Sequence, residues 1–109
     1  MDAFCRWLES EGWSVEREVA FCDVVATRGA DRLYAEAKGR TAAPGLDIDT
    51  LYGQLLRRMP EEEFGRGEFA VVVPSDHVAK ALRVPPRVRA LLGVRVYGVG
   101  EDGQVTIHR

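Results

Sequence analysis

The chain has 109 residues, 46% apolar and 29% charged, enough for one modest core and unlike a disordered segment. Its 15 basic and 17 acidic side chains leave a net charge of −2, which speaks against a dedicated nonspecific nucleic-acid coat. No window approaches eighteen apolar residues, and MDAFCRWLESEG carries acids where a signal peptide needs a basic and then an apolar run. A single domain over residues 1–109, cytoplasmic and without a membrane partner, is therefore expected.

Residues 2–12 read as a short amphipathic helix: Asp2 can cap it, Phe4, Cys5 and Leu8 share a face with Trp7 beside them, and Gly12 ends it. Ser14 to Ala20 alternates as a strand, with Val15, Arg17 and Val19 on one side and Glu16 and Glu18 on the other. Phe21 to Thr27 continues as a second strand or as the same ribbon after a bend, and the consecutive Val24 and Val25 imply at least partial cover on both faces. Arg32 to Lys38 forms a third. Residues 39–46, GRTAAPGL, read as a loop.

Asp47 to Met59 is the clearest helix, since Ile48, Leu51, Tyr52, Leu55 and Met59 trace one buried face. Asp47 or Asp49 can cap it, Arg57 and Arg58 complement its carboxyl-end dipole, and Pro60 stops it. A neighbouring stripe of Asp47, Thr50, Gln54 and Arg57 or Arg58 is polar. After a charged connection, Phe69 to Val73 reads as a buried central strand. A helix follows over Asp76 to Leu82, then a helical piece Arg87 to Leu92 ended by Gly93. A strand covers Val94 to Val99, and a hairpin turn leads to Gln104–His108. The fold class is α/β (α+β), a mixed sheet flanked by helices in the order α-β-β-β-α-β-α-β(-β).

The chemistry concentrates in Cys22 to Gly39, CDVVATRGADRLYAEAKG. A two-residue turn at Gly29-Ala30 sets Asp23 opposite Glu36, with Cβ atoms about 4.5–5.5 Å apart. A turn centred on Ala30-Asp31 sets Asp23 opposite Lys38 instead, and a three-residue loop needs a bulge to keep the cluster. Opposed carboxylates repel and need compensation, which Lys38 or a divalent cation can supply. Such a site polarises a phosphodiester and activates water, with Lys38 orienting the nucleophile. The plain alternative is a solvated, charged hairpin face.

Asp23 in the second strand, Glu36-Ala37-Lys38 closing the third, and a helix behind them resemble the PD-(D/E)xK nuclease superfamily. That group includes many restriction endonucleases, Mrr-type nucleases and archaeal Holliday-junction resolvases. The resemblance covers about residues 2–99 and implies a restriction-endonuclease-like fold. It implies a metal-dependent nuclease in which Asp23, Glu36 and the carbonyl of Ala37 hold Mg²⁺ or Mn²⁺ and Lys38 positions the water. Gln54 resembles a glutamine of several branches, and Glu9 or Glu11 the first-helix acid of some. Cys22 stands where a proline precedes the aspartate, and no appended DNA-reading domain is expected within residues 1–109.

DNA is the expected partner ahead of RNA, with Thr50, Arg57 and Arg58 as phosphate contacts and a homodimer or a larger complex as the assembly. Thirteen of the fifteen basic residues are arginine, clustered at Arg57-Arg58 and at Arg83, Arg87 and Arg89. Arginine suits phosphate, but a GC-rich genome produces the same bias. The runner-up is a noncatalytic nuclease-like module within a defence or repair complex, and the third reading a small structural subunit. Cys5 and Cys22 have neither a disulfide framework nor metal-ligand spacing, and His77 and His108 lie too far apart for a paired motif.

Overall fold

The computed structural model describes residues 2–19, 22–38 and 44–109. Helix α1 (Asp2–Ser10) leads into β1 (Ser14–Val19), β2 (Cys22–Arg28) and β3 (Asp31–Ala37), then α2 (Pro44–Arg58) and β4 (Glu68–Pro74). Two short helices, α3 (Val78–Ala81) and α4 (Pro86–Leu92), precede β5 (Val94–Val99) and β6 (Val105–His108). The strands form one six-stranded sheet in sequence order. β1, β2 and β3 are antiparallel, as are β5 and β6, while β3–β4 and β4–β5 are parallel. This is the mixed, helix-flanked sheet the hydrophobic patterns imply.

Strand alternation sorts the side chains into two cores. Phe4, Cys5 and Leu8 of α1 pack on Val24, Ala26, Leu33, Ala35, Ala70, Val72 and Tyr97. On the opposite face, Ile48, Leu51, Tyr52 and Leu55 of α2 pack on Tyr34, Phe69, Val71, Val73, Val94 and Val96, joined by Val78 and Ala81. Val24 and Val25 belong to different faces, as the double cover of that strand requires. β4 is apolar on both faces because it lies in the parallel centre under helices on either side.

Most boundaries fall within one or two residues of expectation, and two elements depart further. α2 begins at Pro44 rather than Asp47. Proline has its φ preset for a helix and loses nothing by lacking an N–H in the first turn, so Pro44-Gly45 starts the helix instead of closing a loop. The rest of that expected loop, residues 39–43, lies outside the described residues, as do Ala20 and Phe21 where β1 was expected to bend into β2. The helix expected over Asp76–Leu82 is a 3₁₀ turn, Ser75–His77, followed by the four-residue α3. Asp and Ser compete with backbone hydrogen bonding in a helix interior, and the tighter turn accommodates them.

Candidate functional site

The hairpin turn decides what faces what. Gly29 takes φ 62°, a left-handed conformation that a residue with a Cβ rarely adopts, and it pairs Arg28 with Asp31, Ala26 with Leu33 and Val24 with Ala35. Continuing that register by one residue sets Asp23 against Glu36. The Gly29-Ala30 alternative therefore prevails over the one that would oppose Asp23 to Lys38. Parity turns both acids away from α1, toward the face that α2 covers.

Asp23 is half-buried, and its Oδ2 accepts the backbone N–H of Ala37 at 3.0 Å, which ties β2 to the end of β3. Glu36 is almost fully enclosed, 1% exposed, opposite Val71 of β4. Its Oε1 accepts Nη1 of Arg58 at 2.8 Å, while Oε2 is buried without a partner among the described residues. Burial is the main force raising the Glu36 pKa; Arg58 opposes it, and the nearby Asp23 carboxyl adds to it. Lys38 is half-buried just past the strand, with its backbone N–H donated to Val72 O at 3.0 Å. Alternation gives it the parity of Glu36, and among the described residues its ammonium has no ion-pair partner.

α2 supplies the roof. Arg58, the last residue of that helix, stands over Glu36, and half-buried Gln54 lies one turn earlier on the same side. Thr50 and Arg57 are exposed on α2. Arg58, expected to meet phosphate, is instead committed to Glu36, because a carboxylate buried beside another carboxylate draws the nearest cation.

Glu9 and Glu11 do not join this site. α1 lies on the other face of the sheet, and the carbonyl of Glu11 accepts Nη1 of Arg28 at 2.9 Å, at the turn end of the hairpin. Asp23 is five residues up the strand from Arg28, about 17 Å at the usual rise. The α1 acid nearest the Asp23 end is Asp2, bonded at 2.7 Å to Arg17, whose strand partner is Val24. Among the described residues no third carboxylate, histidine or cysteine gathers into a metal-binding cluster.

The arginine cluster of α4 also divides. Arg89 turns inward, with Nε donated to Val84 O at 3.0 Å and Nη1 enclosed without a partner, so it offers nothing to an external phosphate. Its burial was not legible in the sequence, because nothing in RVPPRVRALL sets which side of so short a helix turns inward.

A helix, an antiparallel meander, a helix and parallel strands carrying paired acids at the end of β3 make a restriction-endonuclease-like fold, a nuclease-like architecture. Solved structures that share it include an XisH family protein from Nostoc punctiforme PCC 73102, with TM-score 0.67 and 18% identity over 99% of this chain and 97% of that one. Another is an fdxN element excision controlling factor protein from Anabaena variabilis, with TM-score 0.62 and 17% identity over 97% of both chains. No protein-family model and no curated protein matches the sequence. Among the described residues no helix is long and apolar enough to cross a membrane.

Proposed function

We propose that this chain is a metal-dependent nuclease of the PD-(D/E)xK type that hydrolyses phosphodiester bonds in DNA. The observation that carries the reading is the convergence of Asp23 and Glu36 on one sheet face, with one Glu36 oxygen enclosed and unserved. Like charges held together need a counter-charge, and an all-oxygen donor set fits Mg²⁺ or Mn²⁺ better than a softer ion.

Asp23 and Glu36, with the carbonyl of Ala37, would hold the ion; when bound, it supplies Lewis acidity toward a phosphoryl oxygen. The chain's own residues do the rest. The Ala37 N–H fixes one oxygen of Asp23 and so orients the other. Lys38 stands on the face of Glu36 to position the attacking water and take part in its deprotonation. Gln54 lies one turn before Arg58 on the same side of α2, and Thr50 and Arg57 offer donors to the DNA backbone. The solved relative named for controlling element excision is in keeping with work on DNA. A second copy of the chain would be needed to cut both strands of a duplex.

One observation favours a second reading. Arg58 already neutralises part of the acidic pair, as a noncatalytic nuclease-like module in a defence or repair complex would require. Cleavage of linear, nicked and four-way-junction DNA with Mg²⁺ or Mn²⁺ separates the two. Glu36→Ala and Lys38→Ala should each lower the rate by about a hundredfold or more, as losing a ligand or a proton-transfer group does. Undiminished cleavage by either variant would sink the assignment. A chain that cuts none of these substrates, with Mn²⁺ affinity unchanged by Asp23→Asn, yet still binds DNA would favour the binding module over the nuclease.

A further inference from the structure

We propose that Arg58 is a displaceable latch on the carboxylate pair: it caps Glu36 in the free protein and moves to a DNA phosphate when cation and substrate arrive. The inference rests on reading Asp23 and Glu36 as cation ligands, and it assigns Arg58 a role that reading does not contain.

The geometry at Glu36 is that of a covered site. Asp23 and Lys38 on either side are half-buried, yet Glu36 is 1% exposed, and the group bonded over it is the Arg58 guanidinium. An ion that takes both oxygens of Glu36 has to replace that bond. The bond from Arg58 reaches Oε1 of Glu36 and leaves Oε2 enclosed without a partner among the described residues, so the carboxylate is half satisfied as it stands. A buried ion pair gives back much of its Coulomb gain as desolvation, which makes exchange of partners cheap when a better cation is offered.

Arg58 is also placed to leave. Its side chain is 36% exposed and it ends α2, with only Met59 before Pro60, so the guanidinium can swing outward without unwinding a turn. A guanidinium released at that spot finds a matched partner in phosphate, which accepts its paired N–H groups in a fork. Arg57 next to it and Thr50 two turns earlier are exposed and would extend the same contact. Cation and phosphate then bind cooperatively, because each weakens the bond the other has to break.

The test measures binding, not turnover. Mn²⁺ affinity of the intact chain at pH 8, followed by the EPR signal of free Mn²⁺, is compared between wild type and Arg58→Met. Affinity for a short DNA duplex is measured in parallel in Ca²⁺. The latch requires opposite changes: Mn²⁺ binding about tenfold tighter in Arg58→Met, and DNA binding weaker by about the same factor. Arg58→Lys should fall between. Arg58→Gln, which keeps a hydrogen bond without the charge, is read in the same way if Arg58→Met does not fold. Wild type that binds Mn²⁺ no less tightly than the variant would overturn the latch and leave the nuclease reading standing. Unchanged DNA affinity would overturn the transfer to phosphate. Absence of Mn²⁺ binding in every form would overturn both the latch and the metal site beneath it.

Discussion

Glu36 stands between opposing forces. Removal from water and the neighbouring Asp23 raise its pKa, Arg58 lowers it, and burial dominates. In the pH range above the ordinary carboxylate value and below the raised one, folded Glu36 keeps a proton that the unfolded chain has lost. The folded state then binds more protons, so in the absence of metal this residue makes stability fall as pH rises through that range. Glu36→Gln removes the effect. Denaturant unfolding from pH 4 to pH 8 should therefore show wild type losing stability relative to Glu36→Gln as pH increases, and parallel curves would contradict the cause assigned here. The acids themselves were legible in the sequence, because a two-residue period and a Gly-Ala turn fix which residues oppose. Their partner was not, since which helical arginine reaches a given strand residue depends on how the helix lies across the sheet.

At the scale of elements, two glycines hold different kinds of position. Gly29 sits at φ 62° in the turn that sets the Asp23–Glu36 register, with nothing within 4 Å of where a Cβ would stand. The cost of a side chain there is conformational alone, and Gly29→Val should lower stability by about 1–2 kcal/mol. Gly53 lies inside α2 with ordinary φ and open space at its Cβ position, so Gly53→Ala should raise stability by about 0.5–1 kcal/mol. Urea titration of both variants checks the pair, and a destabilised Gly53→Ala would mean that α2 has no room on that side. The elements were readable where periodicity ran long, as in α2 and β4. They were misread at Pro44 and at Ser75–His77, where residues typical of loops begin a helix or form a tight turn.

At the scale of the molecule, the sheet is a wall between two cores, and only one of them bears the site. Leu8 of α1 is buried against Val24, Ala26 and Tyr97 on one side. Leu55 of α2 is buried on the other, between Gln54 and Arg58 in sequence. The local pattern gave both helices an apolar face but not the direction in which each crosses the strands. That is why Glu9 and Glu11 were drawn toward a site that α1 does not face. Leu8→Ala and Leu55→Ala should each lower stability by about 2–5 kcal/mol, since both leave a cavity under a helix. On the proposed DNA-cleaving activity their effects should diverge. Under conditions where both variants remain folded, Leu55→Ala shifts the helix that carries Gln54 and Arg58 and should lower the rate by about tenfold or more. Leu8→Ala, screened from the site by the sheet, should stay within about twofold of wild type, because small displacements of positioning groups cost rate and distant packing does not. Equal losses of activity in the two would mean that the faces are coupled through the strands, and the site would then have to be described as resting on both cores.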